Sequence, residues 1–584
     1  MIRLAAVLAS VLLFECASAT ATPPASSAKK ASAATPPSVA MRNMTLREKI
    51  AQLIIAPCFG ENPNRESADY RKFEHWVRDL KVGGLIVLNR VVYGNARNVD
   101  PVSVAAFLNQ MQRLAKTPLL VGGDFERGAS MRIANTTRFP HNMAYGAARD
   151  LELTKKLGAS VARESRAIGV HWVFAPVADV NNNPDNPVIG IRSFGERPAD
   201  VAAQVEAFIA GARSSPDPRH RVLLCVKHFP GHGDTNVDSH IGLGTVSGDR
   251  KRLDEIELAP FRAAIRAGID GVMTGHLMTP AIDPEPVPAT VSEPVLTGLL
   301  RKDLGFEGLI ATDAMDMKGL TSLFPPGEAA VRALLAGADI LLMPARPEDV
   351  IDAVAKAVRD GRITVKRIER SVAKVLAAKS KLGIQQNRFA DLEAINKVLE
   401  SPDMEASAQK AAEQAVTVVR NRDGLLPLRP DTTNAACLFV VTDNRRNLQG
   451  LRLIDEMRAR APQMKIQHLD PAMPDAAFAA PPADACRTYL VAAYSNGNGN
   501  GPVSKLMTAL ASNSNTPVAL ISLNSPYLLR AFPTVAAYVA TYSNVPASEA
   551  GAAKVLFGEI PAKGKLPVTI PDLAQYGDGL QLLP

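Results

Sequence analysis

Reactive residue types crowd one short stretch of this 584-residue chain. Lys227-His228-Phe229-Pro230-Gly231-His232-Gly233-Asp234-Thr235, followed by Asp238-Ser239-His240, holds three of the nine histidines. The stretch begins where an apolar run, Val222–Val226, ends, and its Gly and Pro residues predict an irregular loop. Asp124, in Val121-Gly122-Gly123-Asp124-Phe125-Glu126-Arg127-Gly128, also follows an apolar run directly. So does Asp313, in Ile310-Ala311-Thr312-Asp313-Ala314-Met315-Asp316. Arg192 sits on a Gly- and Asn-rich loop, in Gly190-Ile191-Arg192-Ser193-Phe194-Gly195. Each has a bland reading as well: an Asp after a strand commonly caps a helix, and Arg192 alone reads as a surface arginine.

Two chemistries can use these parts. In one, His228, His232, Asp234, Asp238 and His240 hold a metal ion that activates water, since imidazole and carboxylate suit zinc and related ions. In the other, a carboxylate attacks an anomeric carbon while a second group protonates the leaving oxygen. Asp238 and His240 stand two apart, so an extended backbone points both the same way. The carboxylate then orients the imidazole and stabilises its protonated form, giving a general acid/base. The residues alone leave both chemistries open.

The elements that must position these groups follow from the hydrophobic pattern. Thr45-Leu46-Arg47-Glu48 is a capping-box start for a first helix. Continuous apolar runs at Leu85–Leu88, Leu119–Gly122, Trp172–Pro176, Val222–Val226, Gly271–Thr274, Gly308–Ala311 and Ile340–Met343 predict buried strands, with an eighth near Leu53–Ala56. Helical patterns run between them at Val102–Ala115, Ala199–Ala212, Asp254–Ala267 and Pro347–Val358. An amphipathic helix over Thr364 to Leu382 stops at Gly383. Strands that end in charged residues or His favour a (β/α)8 TIM-type barrel with one active face over an open doubly wound sheet. The pattern restarts after 385–405. Strands are expected at Val416–Val419, Cys437–Val441, Tyr489–Ala493, Val518–Ser522 and Ala536–Ala540, with helices at Leu451–Ala461 and Ser548–Phe557. The fold class is therefore α/β: a catalytic barrel over 41–385, a linker over 386–405, and a smaller α/β sandwich domain over 406–584. The Asn496–Gly501 turn lacks the strand-then-helix context of a phosphate loop.

Composition narrows the classes further. The chain is 47% hydrophobic and 21% charged, with a net charge of +8 and no Lys/Arg-rich block, so nucleic-acid binding is not expected. Met1-Ile2-Arg3, the apolar run Leu4 to Phe14 and Ala17-Ser18-Ala19 stand in the order of a secretory signal peptide over 1–19, which sends the protein to the periplasm or the medium. Residues 20–40, rich in Ala, Ser, Thr and Pro, read as a disordered linker. Phe14 and Glu15 do not suit lipidation of Cys16, and membrane insertion is not expected. Cys58, Cys225, Cys437 and Cys486 are widely spaced in or near apolar runs, so buried thiols are expected rather than disulfides.

The string KHFPGHGDTNVDSH resembles the signature of glycoside hydrolase family 3, in its β-N-acetylhexosaminidase branch. MTLREKIAQL, GDFERG, IRSFGE and ATDAMDM stand in that family's order, and AAEQAVTVVRNRDGLLPL and GEIPAKGKLPVTIP are similar to its C-terminal domain. The resemblance implies a retaining exo-acting β-N-acetylglucosaminidase on cell-wall muropeptides or chitin oligosaccharides. It makes Asp313 the nucleophile, His240 the acid/base and Asp238 its partner. Asp124, Arg192, Lys227 and His228 would hold the sugar's hydroxyls and acetamido group. His232 and Asp234 would shape the loop, and His276 would line the pocket or serve structure alone. The implied partner is a GlcNAc-containing glycan, and neither cofactor nor metal is implied. An imidazole in place of a second carboxylate does not repel an incoming anion, so phosphate can compete with water as acceptor. Alternatives are a β-glucosidase or β-xylosidase of the same family and a non-catalytic sugar-binding protein. One departure stands out: GDFERG has Arg127 where a D-x-E-G-G pattern is common.

Overall fold

The computed structural model describes residues 37–582 apart from 93–94, 430–432, 434, 445–447, 483–484, 496 and 513–515. The expected signal peptide lies outside the described residues, as does most of the expected linker, whose end carries a helix at Pro37–Arg42.

Short apolar runs buried on both faces form the first sheet, as parallel strands between helices must. Its strands are β1 (Ile54–Cys58), β2 (Gly84–Val87), β3 (Leu120–Gly123), β4 (Trp172–Val173), β5 (Leu223–Phe229), β6 (Gly271–Thr274), β7 (Leu309–Ala311) and β8 (Leu341–Leu342). They lie in the order β7-β6-β5-β4-β3-β2-β1-β8, and every neighbouring pair is parallel. A parallel bridge between Ala311 and Ile340 joins the two ends, so the sheet curls into a nearly closed eight-stranded barrel. The strand expected over Trp172–Pro176 stops early. Pro176 has no amide for the ladder, and pairing resumes only as the Val177–Lys227 bridge.

The helices follow local rules. Thr45 Oγ1 accepts from the Glu48 amide at 3.2 Å and a Glu48 carboxylate oxygen accepts from the Thr45 amide at 2.8 Å, closing the expected capping box. The helix over Val365–Lys381 ends before Gly383, whose φ of 65° a residue with a side chain rarely adopts. The single helix expected over Asp254–Ala267 is instead two, Arg250–Glu255 and Leu258–Arg266. Pro260 is tolerated in the first turn of the second but not in the interior of one long helix.

A second sheet orders β9 (Thr417–Asn421), β10 (Ala436–Thr442), β11 (Lys465–Leu469), β12 (Thr488–Tyr494), β13 (Val518–Ser522) and β14 (Ala537–Ala540) as β9-β14-β13-β12-β10-β11. Only β9 runs antiparallel to its neighbour. Strand alternation sends Cys437, Phe439 and Val441 to one face of β10 and Ala436, Leu438 and Val440 to the other. The first face packs on the helix Pro502–Leu510 and on Met143, Ala144 and Ala147 of the barrel region. Leu451–Arg460 and Pro546–Leu556 cover the second. The described residues thus form one compact unit. β11 has no counterpart among the expected strands. It is an edge strand whose Lys465, Gln467 and His468 interrupt any apolar run.

The expectation of four free thiols fails for two of them. Cys437 and Cys486 form a disulfide with Cα atoms 5.7 Å apart, while Cys58 and Cys225 stay free and buried. Adjacency of β10 and β12, with Cys437 opposite Tyr489, brings together cysteines that lie 49 residues apart. Closing a loop of that length restricts the unfolded chain. Replacing both cysteines by serine is expected to lower stability by roughly 2–4 kcal/mol. The readout is the denaturant midpoint, and an unchanged midpoint would show that the bond constrains little.

Candidate active site

The carboxyl ends of the barrel strands converge on a cavity of about 220 Å³ lined by Asp124, Arg132, Arg192, Lys227, His228, His232, His240, Asp313 and Asp316, with Phe174, Met273 and Met317 among its apolar walls. Six of the seven residues to which the resemblance gives catalytic or sugar-holding roles line it, and Asp238 stands directly behind His240. All of its lining residues come from the first 343 residues.

Its floor is a buried charge network. Lys227 extends from β5, is almost inaccessible, and meets both Asp124 and, at 2.8 Å, Glu126. Arg192 grips Glu126 with two parallel hydrogen bonds, Nε to Oε2 at 3.0 Å and Nη2 to Oε1 at 2.6 Å. Arg132 donates to the other oxygen of Asp124 at 3.1 Å. Burial alone would raise the Asp124 and Glu126 carboxyls, but the neighbouring cations outweigh it and hold both below the usual carboxylate range. Burial likewise opposes the charge on Lys227 and Arg192, and the two carboxylates more than offset it.

His228 is fixed from two sides. Its Nε2 lies 3.3 Å from Arg192 Nη2, a group that can only donate, so Nδ1–H donates to Asp179 at 2.7 Å. Asp179 is fully buried and also accepts the amides of His228 and His232, at 3.2 and 2.7 Å. Burial would raise its carboxyl, yet His228 and the His232 amide hold it below its ordinary value. The His232 ring nitrogens face the hydroxyls of Ser239 (2.9 Å) and Thr235 (2.8 Å), and burial lowers this histidine to about 4. Asp234 is held by Arg252 at 2.9 Å. His232 and Asp234 therefore brace the loop. Among the described residues no three His, Cys, Asp or Glu gather as metal ligands.

Asp313 stands two residues past the end of β7. Its Oδ1 accepts the Ala314 amide at 2.7 Å. Burial pushes its carboxyl up, but His228, His276, that amide and Lys227 together hold it below its ordinary value. His276 donates from Nε2 to the Ala314 carbonyl at 2.9 Å and pairs through Nδ1 with Thr290 at 2.8 Å, so it clamps the backbone beside Asp313 and does not line the cavity. His240, which also lines the cavity, donates from Nδ1–H to Asp238 Oδ1 at 2.6 Å, and the same oxygen accepts the His240 amide at 2.9 Å. The His240 ring is more than half exposed.

Two backbone hydrogen bonds tie the His240 segment to the one after Asp313, from the Lys318 amide to the His240 carbonyl (3.4 Å) and from the Gly319 amide to the Ser239 carbonyl (3.2 Å). The sequence reading missed Glu126, Arg132 and Asp179. Asp179 carried the same signal as Asp313, an acid just past an apolar run, but three residues beyond Pro176. Glu126 stood in a quoted motif, and Arg132 has no local signal.

An acidic residue and an imidazole–carboxylate pair facing one polar cavity, on the strand ends of a parallel barrel, are the equipment of a barrel hydrolase. Residues 45–378 match the model of the glycosyl hydrolase family 3 N terminal domain, and the chain belongs to that family, a glycoside hydrolase acting on carbohydrate. It is 31% identical over 560 residues to Beta-hexosaminidase A of Pseudoalteromonas piscicida, covering 84% of this chain and 89% of that one. It is 28% identical over 550 residues to the Beta-N-acetylglucosaminidase/beta-glucosidase of Cellulomonas fimi, covering 89% and 93%. A family 3 beta-N-acetylglucosaminidase from Paenibacillus sp. str. FPU-7 superposes with a TM-score of 0.78 at 32% identity, covering 90% of this chain and 99% of that one.

A Cβ at Gly319 would lie 2.8 Å from the Ser239 carbonyl oxygen and 2.9 Å from that of Gly242. Gly319→Ala must push the His240 segment away from the Asp313 segment. We expect kcat/KM to fall about 10- to 100-fold with the fold retained, measured by kinetics beside circular dichroism. Unchanged kinetics would show that this contact does not position His240.

Proposed function

We propose that the protein is an exported, retaining, exo-acting β-N-acetylglucosaminidase that releases terminal β-linked GlcNAc from cell-wall muropeptides or chitin oligosaccharides. The observation that carries the reading is that Asp313 and the Asp238-backed His240 line one cavity. Hexosaminidase names among the relatives support the choice of sugar.

In this reading Asp313 attacks the anomeric carbon through Oδ2, since Oδ1 is engaged by the Ala314 amide. The glycosidic C–O bond breaks with inversion, and His240 Nε2–H delivers its proton to the leaving oxygen. Asp238 holds the ring by Nδ1 and stabilises its charge before transfer. In the second step neutral Nε2 takes a proton from water as that water attacks the anomeric carbon and frees Asp313, so the configuration is retained. Asp124, Arg192, Lys227 and His228 hold the sugar. Their mutual pairing leaves them ordered before substrate arrives, which lowers the cost of binding. A disulfide between Cys437 and Cys486 suits the oxidising compartment that the signal-like N-terminus points to. No helix among the described residues is long and apolar enough to cross a membrane.

Turnover of aryl β-GlcNAc tests the reading. Asp313→Ala is expected to lose several orders of magnitude in kcat, because it removes the nucleophile of a covalent mechanism. Near-normal activity in that variant would overturn the assignment, and preference for aryl β-glucoside would move the enzyme to the glucosidase alternative.

The acceptor and the metal question have their own readouts. Neutral imidazole admits an anionic acceptor, so added phosphate is expected to yield some GlcNAc 1-phosphate beside GlcNAc. Rates independent of phosphate, with no sugar phosphate formed, would leave water as the acceptor. Activity is expected to persist in EDTA, whereas a loss restored by zinc would favour the metal chemistry.

A further inference from the structure

Beside the catalytic cavity lies an annex, also of about 220 Å³, lined by Glu126, Arg127, Arg132, His141, Asn142 and Arg192. It shares Arg132 and Arg192 with the catalytic cavity, so a group on a sugar held there can reach it. Three guanidinium groups face one carboxylate, and both oxygens of that carboxylate are already taken by Arg192 and Lys227. Arg127 stands at the position where GDFERG departs from the paired-glycine pattern. It makes no ion pair among the described residues; Nη1 donates to the Phe139 carbonyl at 3.1 Å, and Nε is buried with no partner among them. Nε of Arg132 is buried in the same state.

A buried donor on a charged group that finds no acceptor is costly, and guanidinium forks match the oxygens of carboxylates and phosphates. Burial lowers Arg127 only to about 10, so it stays charged at neutral pH. Burial keeps His141 neutral there, since its pKa lies well below the ordinary value, and its Nδ1 pairs with Ser543 at 2.9 Å. The excess charge of the annex therefore comes from the arginines. Asn142 is 2% exposed and its Oδ1 also lacks a partner among the described residues, which supplies an acceptor for a hydroxyl next to the anion.

We propose that the annex binds an oxyanion: a carboxylate, phosphate or sulfate carried by the sugar in the catalytic cavity, or a free phosphate beside it. The kind of sugar rests on the hexosaminidase reading; the anion does not.

Titration calorimetry on the full chain distinguishes the sources. The probes are inorganic phosphate, N-acetylglucosamine, N-acetylglucosamine 6-phosphate and N-acetylmuramic acid, against wild type, Arg127→Gly and Arg127→Lys. Thermal melting confirms that each variant is folded. One acidic sugar is expected to bind wild type about tenfold or more tightly than N-acetylglucosamine. Arg127→Gly should abolish that preference and Arg127→Lys should keep part of it. Phosphate binding that disappears in Arg127→Gly, with no preference for an acidic sugar, also supports the annex and makes its ligand the free anion. Equal affinities of wild type and Arg127→Gly for all four probes would overturn the proposal. Aryl β-GlcNAc turnover is measured in parallel. If it is absent while anion binding still depends on Arg127, the hexosaminidase reading fails and the annex stands.

Discussion

The contact on which the rest of the site depends is the ion pair of Lys227 with Asp124 and Glu126, extended by Arg192 and Arg132. Three cationic and two anionic groups meet where water is largely excluded. Each charge would be expensive alone, and removing one member of such a set typically costs about 3–5 kcal/mol because its partner is left buried and unpaired. The network therefore fixes its members sharply. β3 must deliver Asp124 and Glu126, β5 must deliver Lys227, and the loop after β4 must bring Arg192 over both. His228 and Asp179 follow from it, since Arg192 closes one side of His228 and Asp179 the other.

The second domain acts through the same arrangement, though among the described residues none of it lines the catalytic cavity. It holds the loop on which Arg192 rides. Glu196 accepts from the amide and hydroxyl of Thr569 at 2.6 and 2.7 Å, and the Glu196 amide donates to Pro567. Asn181 donates to Tyr527, and Arg530 to Asp185, at the near end of that loop. The family-like segments IRSFGE and GEIPAKGKLPVTIP, remote in sequence, are thus bonded to one another in space. Packing of Met143, Ala144 and Ala147 against the sheet adds an apolar seam with no polar group to leave unpaired.

The loop that carries His240 is built more loosely. His240 sits on a loop rather than a strand, is more than half exposed, and is held by Asp238 and by two amides from the segment after Asp313. Under the proposed mechanism His240 donates a proton to a leaving group and later serves a water, which benefits from such access, whereas the attacking carboxylate benefits from rigidity. Asp313 has that rigidity from the Ala314 amide and from His276, which clamps the Ala314 carbonyl from behind.

By itself, the sequence determined whatever depends on neighbours along the chain. Apolar runs located the eight barrel strands to within a few residues, the capping box and Gly383 placed helix ends, and a His- and Gly-rich loop after Val226 marked the strand ends at which the cavity lies. Pairings between distant segments were decided only by the tertiary structure. Asp179 reaches His228 across adjacent strand ends, Arg132 reaches Asp124 through a turn with no periodic signal, and Cys437 meets Cys486 because β12 crosses over to lie beside β10. β11 was illegible because an edge strand buries too little to need an apolar run. Local propensity is written in spacing, but a charge's partner is chosen by which strands lie side by side, and that choice belongs to the folded barrel.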